Sequence, residues 1–472
     1  MASLNFACDP KPARLIPALQ ESNQENKATS ITLATLCLVR PFAKQFVDNV
    51  NLRFGKRTTL SAFTEIVLKG QNKRGGLRPD GLLEISTGQS VWRAFVEAKV
   101  NHNALGKDQV EAYLKLARDN GVDAVITISN QFAALPTHHP VQVDQGLLRK
   151  VALYHMSWKA IFTHALLAHA EAEFSNHHEA EILHEFLEFM NTSKSGMMDF
   201  NTMNAEWTDL VRSYQHGGPR SKHDDVVINS VAAWHQELKD MALRLSAHVG
   251  RLVDVKLSRK HINDGKARLD DDSAILHSDG VLNGILEIPN AENIEIEADV
   301  RARTVRVKCR IEAPLDKVST AARVSWLLRQ LKDVKSPDIL IGLGYPGKGK
   351  PVVFQLSELQ KDHKEALEHY TQSPPTFFEV SMVKDLAGAF AQRKKFIVAF
   401  ESLVETYYKQ VGQNVQDWVA PPPKFKPKPK DAVLDDGSSA ESEREPVQAA
   451  EPVDPVQQSH NLREIPGFLM RI

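Results

Sequence analysis

Residues 78–85, RPDGLLEI, and residues 92–100, WRAFVEAKV, decide the fold. Both read as β-strands, and the turn formers TGQS at 87–90 lie between them. Side chains alternate faces along a strand. Glu97 and Lys99, two apart, therefore leave one face, while Val96, Ala98 and Val100 point into the core. Asp80 lies on the neighbouring strand. Outward from this pair, residues 62–69 read as an earlier strand, set off by the turn-rich segment 70–76. Residues 107–120 form an amphipathic helix, with Val110, Leu114 and Ala117 on one face and Gly121 ending it. The run AVITIS at 124–129 is almost wholly apolar, as a strand buried on both faces should be. Upstream, 12–50 reads as helix, with Ile31, Ala34, Leu38 and Phe42 at helical spacing and Pro41 breaking or kinking it. The order is helix, three strands, helix, strand. That predicts an antiparallel meander to which a helical crossover adds a parallel strand.

Charged side chains on a central, helix-covered strand are costly unless they are paired or bound to something. Carboxylates from neighbouring strands, here Asp80 and Glu97, can bind Mg²⁺, a hard cation that takes oxygen ligands and keeps several waters. A lysine beside that ion can orient or deprotonate an attacking water, or steady a pentavalent phosphate. Metal-assisted phosphodiester hydrolysis needs this set. The competing reading of Asp80, Glu97 and Lys99 is an ion-paired sheet face.

The arrangement resembles the PD-(D/E)XK nuclease superfamily. Pro79-Asp80 matches the first half of its motif and Glu97-Ala98-Lys99 the second. Gln109 and Tyr113, one helical turn apart, match the QxxxY element of part of that superfamily. The element order matches its αβββαβ core, and the resemblance covers residues 12–160. It implies a restriction-endonuclease-like mixed sheet in an α/β N-terminal domain. It also implies Mg²⁺ (or Mn²⁺) held by Asp80 and Glu97, with Lys99 positioning the nucleophile and Gln109 orienting the site or touching the backbone. Many members add a glutamate from the preceding helix. Glu25, in SNQENKATS, is favoured, with Glu65, in FTEIVLK, as the rival. Proteins that this region resembles often belong to bacterial restriction, phage-defence or DNA-repair systems. The expected function is Mg²⁺-dependent hydrolysis of DNA. The alternative is a non-catalytic DNA-binding or scaffold protein of a stress or defence system.

Charge distribution bears on the partner. The whole chain has a formal charge of −1, but residues 1–150 hold 19 Lys/Arg against 13 Asp/Glu, a net +6. Segment 53–78 carries Arg53, Lys56, Arg57, Lys69, Lys73, Arg74 and Arg78 against a single acid, Glu65. A polyanion would find phosphate contacts here. Lys73, Arg74, Arg78 and Tyr113 are the candidate DNA contacts; a merely solvated basic loop is the other reading.

At 472 residues there is room for about two to four domains. Apolar residues make up 42% and charged residues 25%, which excludes wholesale disorder and collagen. Cys8, Cys37 and Cys309 are too few and scattered for a disulfide framework or zinc cage. No apolar run approaches membrane-spanning length, and MASLNFACDPKPARLIPAL does not read as a secretion signal, so a cytoplasmic protein is expected.

The expected domains are a nuclease-like region over 1–160, a helical connector over 161–248, an α+β domain over 249–419 and a disordered tail over 420–472. Helices are expected at 157–191, 224–248, 318–332 and 382–410, and strands at 338–342 and 352–356. In 294–311 the apolar residues switch from even to odd positions. That predicts a hairpin with a four-residue loop at 301–304 and paired numbers summing to 605, so that Ile296 faces Cys309. The His177, His178, Glu181, His184 and Glu188 group lacks zinc-ligand spacing and reads as a solvated helix face. GLGYPGKGK, 342–350, reads as a strand-connecting turn rather than a phosphate loop. The tail lysines and the closing IPGFLMRI leave a docking role for a protein partner open beside plain disorder.

Overall fold

Pro41 has no N–H to give a helix, so the upstream helical stretch divides. Val39 is extended between α1 (Gln24–Leu38) and α2 (Arg40–Asn49), and Pro41 falls in the first turn of α2, where its missing donor costs nothing. The computed structural model describes residues 7–8, 10–17, 23–68, 77–88, 90–171, 174, 176–347, 349–368 and 373–419. Strands β1 (Ala7–Cys8), β2 (Lys11–Pro12), β3 (Thr59–Thr64) and β4 (Val67–Leu68) precede the deciding pair, β5 (Gly81–Ser86) and β6 (Val91–Ala98). The expected strand 62–69 is split because Glu65 sits at φ 56, in the left-handed region. Helix α3 (Lys107–Asp119) then leads to β7 (Ala124–Ser129), and β8 (Ala152–Ser157) closes the series. The first sheet runs β2-β3-β5-β6-β7-β8. Its β3, β5 and β6 are antiparallel, and β7 and β8 add in parallel. The result is a mixed sheet in a mixed α/β protein.

Each face of this sheet is covered. Val110, Leu114 and Ala117 of α3 pack with Leu82, Phe95 and Val125. On the opposite face lies α1, whose residues 28–36 are all buried, as expected of a helix enclosed on every side. Gly81 permits the close approach: a Cβ there would lie 2.6 Å from Leu33 Cδ1.

Helices α4 (Trp158–Glu171), α5 (His177–Met190), α6 (Trp207–His216) and α7 (Asp225–Val249) follow. Then come β9 (Asp254–Val255), α8 (Arg259–Asn263), α9 (Gly265–Asp279), β10 (Val281–Glu287), β11 (Ile294–Asp299), β12 (Thr304–Glu312) and α10 (Thr320–Gln330). The series ends with β13 (Ile339–Gly344), β14 (Val352–Gln355), α11 (Leu356–Ala366), β15 (Phe377–Asp385) and α12 (Arg393–Tyr407). The second sheet is antiparallel, ordered β14-β13-β15-β12-β11-β10-β9. Trp234, Leu238, Val324, Leu327, Phe396 and Phe400 share one core with its strands. Residues 342–347 and 349–350 lie at the end of β13 and in the link to β14, a strand connection as expected. Among the described residues no helix is long and apolar enough to cross a membrane.

Four expectations are corrected. The helix read over 12–50 starts only at Gln24, after β2, and the helix read over 157–191 is two, α4 and α5. Residues 382–385 belong to β15, so the final helix starts only at Arg393. The 294–312 hairpin exists, but Ile296 faces Val307, and paired numbers sum to 603 rather than 605. Parity cannot distinguish the two sums, because both set even residues against odd ones. The loop decides. Asp299 Oδ1 accepts the Ala302 N–H at 2.8 Å, and Arg303 adopts φ 59. Lys308 then pairs with Glu295 at 3.5 Å and with Glu379 of β15 at 2.9 Å. The tail over 420–472 lies outside the described residues.

Candidate functional site

Four elements meet at one end of the inner strands of the first sheet, where β6 finishes and β5 begins. The β5–β6 register sets Gly81 opposite Val96, so Asp80, in the bend just before β5 rather than on the strand, comes beside Glu97. Glu97 is the penultimate residue of β6. Lys99 follows the end of that strand, and its N–H donates to Ile128 O at 2.8 Å, prolonging the ladder with β7. The first turn of α1 supplies Glu25, and the first turn of α3 supplies Gln109.

Glu97, Lys99, Glu25 and Gln109 form one hydrogen-bonded group, with Asp80 beside it. Asp80 Oδ2 accepts the Ala98 N–H at 2.8 Å. Lys99 Nζ donates to Glu97 Oε1 at 2.7 Å and to Glu25 Oε2 at 3.2 Å. Gln109 Nε2 donates to the same Glu97 Oε1 at 2.7 Å. Glu97 is only 2% exposed, and its Oε2 has no hydrogen-bond partner. Around this centre, Asn103 Nδ2 holds Glu25 Oε1 at 2.7 Å, and the buried Trp158 Nε1 holds Lys99 O at 2.8 Å.

The electrostatics follow from burial and crowding. Burial, then the charge of Glu97, pushes the Asp80 carboxyl up to about 7, against the pull of the Ala98 N–H and of Lys99. For Lys99, burial opposes the charged form. The hydrogen bond and charge of Glu97, joined by Glu25 and Asp80, outweigh it and hold the ammonium above its ordinary range. In this arrangement Lys99 is a fixed cation and a donor, not a base.

The donor set suits a hard divalent cation. Two carboxylates stand side by side, and one buried oxygen, Glu97 Oε2, has no partner. The three acids Asp80, Glu97 and Glu25 do not bring one oxygen each within 4.8 Å of one another; Lys99 Nζ bonds both glutamates instead. Any cation held here would therefore rest on Asp80 and Glu97.

The structure gathers Asp80, Glu97, Lys99, Gln109 and Glu25. It does not gather Glu65, which pairs with Lys11 at 2.5 Å in an exposed position. Tyr113 is corrected as a DNA contact: it is 3% exposed, and its hydroxyl donates to Arg78 O at 2.8 Å. Its ring lies in the core under α3 and cannot stack on a base, but it ties down the chain leading to Asp80. Arg53, Lys56, Arg57 and Arg78 are exposed, whereas Lys73 and Arg74 lie outside the described residues. Sequence reasoning missed Asn103 and Trp158. Asn103 was signalled only by the polar run NHN after the motif, and Trp158 by nothing local.

Comparison with models of known protein families gives no match, and comparison with curated proteins gives none either.

Proposed function

We propose that the chain is a divalent-metal-dependent nuclease acting on DNA, built on a restriction-endonuclease-like sheet of the PD-(D/E)XK kind and serving phage defence, restriction or stress response. One observation carries the reading. Glu97, Lys99 and Gln109, matched to that motif by spacing alone, share one hydrogen-bonded group with Asp80 held beside it by the Ala98 N–H, and Glu97 keeps an unpartnered buried oxygen. An ion-paired structural face would be expected to leave no such oxygen.

Asp80 and Glu97 would hold Mg²⁺ or Mn²⁺. When bound, such an ion supplies Lewis acidity and lowers the pKa of a coordinated water. The chain's own residues do the remainder. Lys99 Nζ, whose three N–H donors are taken by Glu97 Oε1, Glu25 Oε2 and Ala98 O, would act through its fixed positive charge on the attacking water and on the charge growing on the phosphate. Gln109 keeps Glu97 in its rotamer, and Glu25 keeps Lys99 at the site. Exposed Arg53, Lys56, Arg57 and Arg78 neutralise backbone phosphates, the main source of affinity for DNA.

Plasmid and linear DNA incubated with wild type and Lys99→Ala, with and without Mg²⁺ or Mn²⁺, tests this. Metal-dependent cleavage by the wild type alone is the expected result. EDTA-insensitive binding with no cleavage under any condition would instead establish the non-catalytic DNA-binding reading.

A further inference from the structure

Helix α7 carries charge into the core. Glu237 and Asp240, three residues apart, are both fully buried, and Glu401 of α12 meets them. One oxygen from each carboxylate lies within 4.8 Å of the others. Independently of that spacing, neither oxygen of Glu237 has a hydrogen-bond partner, and Asp240 Oδ1 has none. Asp240 Oδ2 accepts only the Phe200 N–H, at 3.3 Å.

The fixed cations nearby do not balance the cluster. Arg244 Nη2 donates to Glu401 Oε1 at 2.7 Å, and Lys159 Nζ pairs with Asp199 at 2.5 Å. Asp199, Glu237, Asp240 and Glu401 thus face Lys159 and Arg244, which leaves two negative charges without a counterpart. Glu405 adds a further negative charge, acting on Glu401 and Arg244. Burial, then the charges of Asp240 and Glu401, pushes Glu237 well above the usual carboxylate range, and burial pushes Asp240 up to about 6 and Glu401 up to about 7, so protons are the rival counter-charge. A proton on Glu237 could be shared with a neighbouring carboxylate oxygen, but it would still leave the other Glu237 oxygen without a donor.

We propose that Glu237, Asp240 and Glu401 form a buried site for one divalent cation of the hard, oxygen-seeking class. Such an ion supplies the missing two charges, satisfies the orphaned oxygens and pins α7 to α12. Its role is structural and separate from the Asp80 site.

The test uses the full chain carrying Asp80→Ala, which removes the first candidate site. Its metal content is measured as purified. After chelator treatment it is titrated with Ca²⁺, Mg²⁺ and Mn²⁺ while melting temperature and binding heat are followed. The expected result is one equivalent bound for at least one of these ions, with a melting temperature several degrees higher. Adding Glu237→Gln should abolish both effects; that amide keeps the shape and removes a buried charge, so the variant should fold. No bound cation, together with a melting temperature indifferent to all three metals, would overturn the proposal and leave protons as the counter-charge. Binding that survives Asp80→Ala while cleavage is lost separates this site from the nuclease reading.

Discussion

Asp80 should couple metal binding to pH. Its carboxyl is held at about 7 in the folded chain, by burial and then by Glu97, against about 3.9 when unfolded. Between those values the folded state binds the extra proton. Stability of the metal-free protein therefore falls as pH rises from about 4 to about 7, and is flat above. Three pH units at about 1.4 kcal/mol each set a ceiling of about 4 kcal/mol. Coupling to Glu97 and relaxation of the site should reduce this to about 2 kcal/mol. Asp80→Asn keeps an oxygen for the Ala98 N–H but cannot ionise. At pH 8 without metal it should be more stable than wild type by that amount, and at pH 4 the two should be equal. Metal binding needs the carboxylate, so Mg²⁺ affinity of the wild type should fall about tenfold per pH unit below 7. Chemical denaturation of both proteins from pH 4 to 8, with calorimetric Mg²⁺ titration of the wild type, measures all three effects. A flat wild-type minus variant difference across that range would refute the reasoning, because the proton would not be held on Asp80.

Asp80→Ala and Lys99→Ala should each abolish DNA cleavage while far-UV circular dichroism stays native; intact cleavage by either would remove the assignment, and a large loss of melting temperature would favour an ion-paired face. Neutralising Lys73, Arg74 and Arg78 together should weaken DNA binding whatever the sequence. The slope of log K against log salt should drop by up to about 3, and an unchanged slope would place these residues away from the DNA. Gly81→Ala puts a methyl 2.6 Å from Leu33 Cδ1 and should cost about 1–3 kcal/mol in urea denaturation. Adding Leu33→Ala should recover part of that cost, and strictly additive losses would deny the contact.

Much of the fold was legible wherever one periodicity ruled a segment. Helix α3 and strand β7 show a single helical face and an unbroken apolar run, and both stand as read. Pro41 announced the break between α1 and α2 through its missing donor. Strand β15 was hidden because its second half abuts a helical segment, and Phe378 and Val380 lay outside the window that read 382–410 as helix. Strand β8, Ala-Leu-Tyr-His-Met-Ser, was missed because two of its buried positions are His155 and Ser157. His155 is tolerated there because Thr127 and Gln131 O take its two ring nitrogens. The hairpin register was half legible. Alternation fixed which faces meet, but the Asp299 turn and the third strand carrying Glu379 fixed which residues do.

The candidate site divides along the same line. Spacing along two strands and one helix was enough to bring Asp80, Glu97, Lys99 and Gln109 to one end of the sheet, because a strand's period leaves little freedom. The choice between Glu25 and Glu65 was not local. It depends on α1 lying close over β5, which only a residue without a side chain at position 81 allows. Tyr113 shows the opposite error: the turn of helix separating it from Gln109 was right, but its ring is buried in the core, and only its hydroxyl reaches the site, beside Glu97 and Gln109. The acids of α7 failed for a more general reason. Reading that helix by its apolar residues picks out Trp234, Leu238, Met241 and Leu245, all buried. Glu237 and Arg244 each sit beside a member of that stripe, and Asp240 beside Met241, so the same spacing that predicts a core face turns these charges inward as well. A helix that buries acids beside two successive core residues, Leu238 and Met241, has a counter-charge to find, and that demand could be read from WHQELKDMALRL before any coordinate is known.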